Sequence, residues 1–497
     1  MKKKAFLNIA CSSMSQIVAI VTGLIVPRLL LSTFGSEANG LVSSLTQFLN
    51  YIALIEGGIG SVVLTAMYGP LARQDHNELS RVIQAAARFF KQIAYIFVGY
   101  TVILAVLYPF VVESSFSWLF VSSLTIILSL SLFIQYFFSI TYRLLLQADQ
   151  KMYVVQVWQI IISILNLCVV VISIKVCPEL HIVKLCSVLL FAIQPVAYGH
   201  YVKKHYHLSK KVVPDTKTLS QRWAGFGQNF AYFIHSNTDV IVLSLFCDLK
   251  TVSVYSVYML VIKHVQGFFR SFSHAFSPMI GKDIALGDYR STKNHLDIYE
   301  FTVVTVATIV YGCCIYLLPS FALLYTHGIN DSNYYRPIFS TIILLAEYVY
   351  CIREPYVATA FAAGKFKETE ASAYIEALIN VVLSIILVRR YGLEGIAVGT
   401  LAGMLYRMIY LICFVRKNIL NRSVLKPIKR AAIAAVTIFI SISCINFLDR
   451  TGSLTVLLWI KNAVVSVTVF TVVTIVLDFV FDKPLSIAML KRLRKRN

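Results

Sequence analysis

Polar and charged side chains recur at helical spacing inside long apolar stretches of this sequence. Lys263 and Arg270 stand seven residues apart, which places both on one face of an α-helix. An ionisable group near the middle of a bilayer costs about 2.5–3.5 kcal/mol on insertion scales, so such groups should face a cavity or a partner. A functional cationic site would explain these two residues, and so would structural pairing with other helices. Further stripes with this spacing are Gln156, Gln159, Ser163 and Asn166; Gln135, Ser139 and Tyr142; and Gln228, Tyr232, His235 and Asp239.

Acidic residues within apolar segments are candidates for binding a coupling ion. Glu56 opens a Glu-Gly-Gly-Ile-Gly segment, and Glu347 and Glu354 stand seven residues apart. With Asp239, these three carboxylates are the positions where we expect a cation or proton to bind. Interhelical pairing would explain Glu347 and Glu354 equally well, and close helix approach would explain the glycines.

Motifs of enzymes and channels are missing from the sequence. There is no Walker A loop, no His-Glu-x-x-His, no Gly-x-Ser-x-Gly and no filter sequence of the potassium-channel type. The ten cysteines include no Cys-x-x-Cys pair and lie mostly in apolar runs, where thiols act as small hydrophobic groups. We therefore expect a transporter rather than an enzyme, with no cofactor apart from a possible coupling Na⁺ or H⁺.

The composition of the 497 residues excludes an ordinary soluble protein. The hydrophobic set accounts for 58% of residues and charged residues for 14%, against about 45–50% and about 25% in soluble domains. This excludes a soluble enzyme, a disordered scaffold and a secreted disulfide protein. The net charge of +21 lies mainly in short connectors and at both ends, which favours a membrane orientation signal over a nucleic-acid partner.

Fourteen segments are long enough to cross about 30 Å of hydrocarbon as helices. They lack the alternation of membrane β-strands, so the predicted fold class is an all-α polytopic membrane protein. The segments are 8–31, 41–66, 86–112, 117–141, 154–175, 182–202, 223–247, 252–278, 298–325, 336–362, 371–390, 394–415, 430–448 and 457–481.

The distribution of Lys and Arg predicts that both termini are cytoplasmic. With the N-terminus inside, the inner segments carry 32 of these residues and the outer ones nine. Lys2, Lys3 and Lys4 precede a first span without a small-residue cleavage site, which predicts an uncleaved helix.

A basic connector divides the chain into two halves. We expect a first lobe of six helices over 1–202, a basic cytoplasmic linker over 203–222 and a second six-helix lobe over 223–417. Residues 418–497 then hold two extra helices and a basic tail. The two pseudo-symmetric lobes would be parallel repeats, one of the known transporter plans.

Several motifs, in order along residues 5–415, resemble the Wzx-type polysaccharide flippases of the multidrug/oligosaccharidyl-lipid/polysaccharide (MOP) superfamily. The resemblance rests on loose motifs whose order and spacing are the more specific signal. They are Phe34–Leu41, Gln47–Leu49, Leu54–Gly60, Tyr68–Leu71, Arg143–Tyr153, Asn237–Asp239, Val252–Ser256, Gly364–Thr369 followed by Glu376, Asn380 and Ser384, then Gly392–Gly395 and Gly399–Thr400.

The resemblance implies translocation of an undecaprenyl-pyrophosphate-linked oligosaccharide from the inner to the outer leaflet by alternating access. The substrate would be an O-antigen, capsule or exopolysaccharide unit, and the protein would lie in the inner (plasma) membrane among membrane lipids. A polysaccharide polymerase and glycosyltransferases are the possible protein partners.

Residue roles carried over from the resemblance concern a cavity between the lobes. Arg28 and Arg270 match cavity arginines of the related lipid II flippases on helices 1 and 8, and Glu56 matches an acidic position on helix 2. An arginine that those relatives carry before this acid is replaced by Tyr51. The hypothesis is that Lys263, Arg270 and Arg28 hold the pyrophosphate, while Gln156, Gln159, Asn166 and Tyr232 contact sugars.

Other functions remain compatible with the sequence. A cation-coupled multidrug exporter and a lipid II flippase of the same superfamily are the main alternatives. A membrane glycosyltransferase or polymerase would need a long outer loop, which the sequence lacks. Arg28 and Arg407, near span ends, would also be explained by snorkelling of their side chains to the interface.

Overall fold

The structure is a computed structural model that describes residues 2–56, 59–209, 212–213, 226–448 and 455–487. Within these ranges the side chains of 2–6, 55–56, 61, 226–232, 235–236 and 270–275 are not described. The described chain is helical and divides into two compact units. The first comprises residues 1–233 and 248–253, and the second comprises residues 234–247 and 254–497.

Nine helices build most of the first unit. They are α1 Lys2–Asn50, α2 Ala53–Glu56, α3 Ile59–Arg73, α4 His76–Val111, α5 Trp118–Ile134, α6 Ile140–Ala148, α7 Met152–Val176, α8 Leu180–Phe191 and α9 Ile193–His205. A π-helical turn over Gln135–Ser139 joins α5 to α6. Helix α7 packs on α1 and α8, and α5 packs on α4 and α8. Asp75 begins α4 as an N-cap, accepting bonds from the backbone N–H groups of Asn77 and Glu78 at 3.0 and 2.9 Å.

Helix α1 contains the Phe34–Leu41 motif, which serves packing. Gly35 has φ +81° and ψ 177°, a conformation that suits glycine and breaks the helix there. A Cβ on Gly40 would lie 1.7 Å from the Leu249 carbonyl oxygen, so only glycine allows this close approach. Beside it, the Asn39 amide donates to the Ser253 hydroxyl at 2.8 Å.

The expected second span, 41–66, is not one continuous helix. Helix α1 ends at Asn50, and a turn at Tyr51 and Ile52 separates it from α2, which begins at Ala53.

The second unit contains the remaining helices. They are α10 Phe226–Phe246 and α11 Leu249–Ala285, whose ends belong partly to the first unit, then α12 Tyr289–Tyr325, α13 Pro337–Ala362, α14 Phe366–Tyr391, α15 Leu393–Val415, α16 Leu425–Leu448 and α17 Val456–Phe481. Helices α13 and α14 pack on α15, while α16 and α17 pack together and on α12.

A charged network holds the beginning of α16 against α12. Arg422 donates to Asp297 at 2.8 Å and to the Tyr356 hydroxyl at 3.1 Å, and it also pairs with Glu300. Arg430 lies 3.1 Å from Glu300. Burial opposes the charge on Arg422, but Glu300 and then Asp297 outweigh it and raise the pKa of the guanidinium. Arg422 therefore keeps its charge at neutral pH.

Eleven helical segments of the described chain are long and apolar enough to cross a membrane, so this is a multi-pass membrane protein. The count of fourteen spans stays a prediction. Helix α13, which is not among the eleven, carries Glu347, Arg353 and Glu354 in its middle.

Candidate functional site

Asp239 is the centre of a buried polar cluster in the second unit. The Tyr255 hydroxyl donates to its Oδ2 at 3.0 Å, and the Thr400 hydroxyl lies 3.1 Å from the same oxygen. The Asn380 amide donates to Thr400 Oγ1 at 2.8 Å. All four side chains are less than 10% exposed. Four helices, α10, α11, α14 and α15, therefore contribute to one polar site.

Three glycines on one face of α15 bring α14 and α15 close enough to form this cluster. A Cβ on Gly395 would lie 2.5 Å from the Leu387 carbonyl oxygen, and one on Gly399 would lie 2.4 Å from Ser384 Oγ. A Cβ on Gly403 would lie 2.9 Å from the Glu376 carbonyl oxygen. Small residues every fourth position allow such approach in membrane helices. The neighbouring polar residues then come into contact across the two helices.

The cluster is rich in oxygen atoms that lack hydrogen-bond partners. Within the described chain, Asp239 Oδ1, Asn380 Oδ1 and Ser384 Oγ are buried without one. Nor does any described Lys or Arg form an ion pair with Asp239. A buried carboxylate without a counter-ion must take up a proton or bind a cation. Carboxylate, amide and hydroxyl oxygens are ligands for hard cations.

A second buried group in the same unit consists of one carboxylate between two guanidinium groups. Glu376 accepts from Arg407 Nη1 at 2.7 Å and also from Arg353 Nη1. The side chains of Arg353, Glu376 and Arg407 are 5%, 2% and 8% exposed. The snorkelling interpretation of Arg407 is therefore wrong, because the close contact of α14 with α15 supplies a buried partner.

Glu347 is buried and accepts a hydrogen bond from the Gln266 amide of α11. Lys263 lies one turn earlier on α11 and is exposed. Glu354, which sequence spacing grouped with Glu347, is half-buried on α13. Arg28 is half-buried on α1, directly after Pro27.

Two predicted sugar-binding residues, Gln156 and Gln159, line a cavity of about 350 Å³ in the first unit. It lies among the α5–α6 segment, α7 and the α8–α9 segment. Four glutamine side chains reach it, and none of their amides hydrogen-bonds to another described residue. The lining residues are Ser131, Ile134, Gln135, Ser139, Ile140, Arg143, Met152, Val155, Gln156, Gln159, Phe191, Gln194, Pro195 and Tyr198.

The chemistry of this glutamine-lined cavity suits a hydroxyl-rich ligand. Each glutamine amide offers two donors and one acceptor oxygen, so four of them match the mixed donors and acceptors of sugars. Arg143 is exposed and adds one cation. Asn166 lies on α7 three turns after Gln156, half-buried and outside the lining; its Oδ1 has no partner among the described residues.

The remaining predicted site residues are not described at side-chain level. These are Glu56, Tyr232 and Arg270. The anion site expected from Arg28, Lys263 and Arg270 therefore stays a prediction. Sequence reasoning missed the roles of Tyr255, Asn380 and Thr400 around Asp239; the four-residue glycine spacing on α15 was the signal that could have found the α14–α15 pair.

Comparison with solved structures identifies the fold. A lipid II flippase MurJ in an inward closed conformation matches with a TM-score of 0.75 at 16% identity, covering 97% of this chain and 99% of that chain. The chain has the fold of the MOP superfamily. An inward-facing multidrug resistance MATE family transporter of that superfamily has a TM-score of 0.62 at 14% identity, covering 82% of this chain and 97% of that one.

A eukaryotic MATE transporter, AtDTX14, gives a TM-score of 0.58 at 12% identity over 88% of this chain and 98% of that chain. No protein-family model and no curated protein sequence matches the chain. The likeness is one of fold, and it is to membrane transporters.

Proposed function

We propose that this protein is a flippase that moves a polyprenyl-diphosphate-linked oligosaccharide from the inner to the outer leaflet by alternating access. The glutamine-lined cavity is the observation that carries the proposal. Its amides and Arg143 provide hydrogen-bonding groups and a cation for a phosphorylated sugar, whereas the polyprenyl chain would stay in lipid. Specificity for one sugar unit would come from the positions of the amide groups.

The extent of the structural similarity supports the same proposal. The lipid II flippase matches 97% of this chain, while the MATE transporters match 82% and 88%. Export of a Wzx-type polysaccharide unit is our preferred form of the function, on the motif order between residues 5 and 415. Translocation of lipid II is the alternative that the similarity to MurJ favours.

The Asp239 cluster supports coupling to a cation. Its oxygen atoms without hydrogen-bond partners would bind Na⁺, which would supply the positive charge that Asp239 lacks. Alternatively, Asp239 would take up a proton. Because the cluster joins α10 and α11 to α14 and α15, occupation would favour one arrangement of these helices over another. A cation-coupled multidrug exporter is the second candidate function, and this cluster together with the MATE similarity is the observation that favours it.

Reconstituted transport tests the proposal directly. The purified full-length protein would be placed in liposomes with the lipid-linked oligosaccharide extracted from its own host. Accessibility of the sugar to a membrane-impermeant glycosidase would measure translocation. We expect protein-dependent exposure of the sugar; exposure no faster than in protein-free liposomes would refute the flippase function. Export of a cationic dye by the same liposomes would instead support the exporter.

Coupling is tested by thermal unfolding in Na⁺ and in K⁺. Ligand binding to the folded state alone stabilises by about 2.7 kcal/mol at 100 times its Kd, so Na⁺ should raise the Tm of the wild type. Asp239→Asn and Thr400→Ala should lose this response. Thr359→Ala is the matched control, because Thr359 is equally buried and bonds to the Pro355 carbonyl of its own helix at 2.7 Å. A Tm of the wild type that responds neither to Na⁺ nor to pH would exclude coupling at Asp239.

A further inference from the structure

The first unit contains a second cavity, of about 410 Å³, among α4, the α5–α6 segment, the end of α9 and the residues that follow it. Thr141 and Tyr142 line it, whereas Ile140 and Arg143 line the glutamine-lined cavity. The two cavities therefore lie on different faces of α6. The lining residues are Ser80, Ile83, Gln84, Ala87, Lys91, Phe137, Phe138, Thr141, Tyr142, Val202, Lys203, Tyr206, Leu208 and Ser209.

The charge of this second cavity is positive. Lys91 and Lys203 both line it and both are exposed, and none of the lining residues is acidic. Asp149, which accepts from the Tyr206 hydroxyl at 2.6 Å, is already paired with Lys151 at 2.8 Å. Among the residues that the structure describes, neither ammonium group has an acidic partner. Two such cations beside hydroxyl and amide groups match a phosphate-bearing head group.

Helix lengths place both lysines at the same depth. About 30 Å of hydrocarbon takes about 20 helical residues. Helix α4 ends at Val111, so counting back this number brings the inner hydrocarbon boundary close to Lys91. The α8–α9 segment begins at Leu180, and the same count forward ends at His200, less than one helical turn before Lys203. The charge bias of the connectors predicts that this boundary is the cytoplasmic one.

Apolar surface adjoins the lysines. Phe138 is 52% exposed and Tyr95 is 64% exposed. The Phe137 ring contacts both Tyr95 and Lys91. Its centroid lies 5.8 Å from that of the Tyr95 ring and 5.1 Å from Lys91 Nζ. Cations at head-group depth beside exposed aromatic side chains form a surface for an anionic amphiphile.

We propose that this cavity binds the head group of an anionic glycerophospholipid of the inner leaflet, at a site separate from the transported substrate. Lys91 and Lys203 supply cations for its phosphate, and the exposed rings of Phe138 and Tyr95 lie beside them for its acyl chains. Bound lipid would join α4 to α6 and α9 and would stabilise the first unit. The proposal does not depend on which lipid-linked sugar is moved.

Fluorescence quenching in nanodiscs tests the site with phosphatidylglycerol as the probe. Phe138→Trp in the full-length protein reports on the cavity, and phosphatidylglycerol with brominated acyl chains quenches a nearby tryptophan. We expect this lipid to quench the added fluorescence at a much lower mole fraction than brominated phosphatidylcholine. A lysine near the membrane surface contributes about fivefold to binding of anionic lipid, so Lys91→Gln with Lys203→Gln should weaken the preference about 25-fold.

The control removes the same charge from the same helices. Arg81→Gln with Lys204→Gln alters two exposed cations that do not line the cavity, and it should change the preference less than about twofold. An equal loss in both double variants, or equal quenching by the two lipids, would overturn the proposal. Displacement of phosphatidylglycerol by an equal mole fraction of undecaprenyl diphosphate would instead assign the cavity to substrate. Lys91→Arg with Lys203→Arg should retain the preference, which separates loss of charge from misfolding.

Discussion

Glu376→Gln should destabilise the second unit more than any exposed charge substitution on the same helix. The carboxylate lies between Arg353 and Arg407, and all three side chains are at most 8% exposed. Glutamine keeps the size of the side chain but removes the carboxylate charge that both buried guanidinium groups contact. Removing one partner of a buried ion pair costs about 3–5 kcal/mol, which is a large part of a typical total stability of about 5–15 kcal/mol.

The assay is chemical denaturation of the purified protein in detergent, with Glu368→Gln as control. Glu368 also lies on α14 and pairs with Lys365 at 2.8 Å, but these side chains are 46% and 41% exposed. An exposed pair contributes about 0–1 kcal/mol, so the control should lie near the wild type. Equal losses in the free energy of unfolding for the two variants would refute the reasoning. Replacing all three members, Arg353→Met, Glu376→Leu and Arg407→Met, should recover stability.

Three further substitutions have defined expectations. Gly399→Ala should cost about 1–3 kcal/mol in the free energy of unfolding, because its Cβ would lie 2.4 Å from Ser384 Oγ, whereas Gly99→Ala meets open space and should be neutral or stabilising. Arg422→Gln should lower the free energy of unfolding by about 3 kcal/mol, because it breaks the α12–α16 network. Lys426→Gln should lower it by less than about 1 kcal/mol, because the Lys426 side chain is 51% exposed. Chemical denaturation measures both. Gln159→Leu should slow translocation of the lipid-linked sugar about tenfold by removing one hydrogen bond, measured in the liposome assay with unchanged Tm.

The helical, membrane-spanning architecture could be predicted from the sequence because long apolar segments leave few alternatives. The break in the second span could not, since the segment 41–66 has no proline and only one charged residue, Glu56. Its interruption after Asn50 depends on local turn geometry that hydropathy does not report.

Residues of the candidate sites were predictable from the sequence only where the spacing of polar residues along a single helix places them on one face. Gln156 and Gln159 share a helical face and line one cavity. Asp239 was identifiable as a buried acid, but Asn380 and Thr400 reach it through contacts between helices. Such contacts depend on interhelical distances, which the glycines of α15 set and which a single sequence does not state.

Deleting the gene in its host and measuring undecaprenyl-linked oligosaccharides by mass spectrometry, with surface polysaccharide detected by immunoblot, tests the central claim most directly. The flippase account predicts that lipid-linked units accumulate while surface polymer is lost, and the accumulated lipid would identify the sugar. Lethality of the deletion with accumulation of lipid II would identify lipid II as the substrate. Unchanged lipid-linked pools with normal surface polysaccharide would contradict the account.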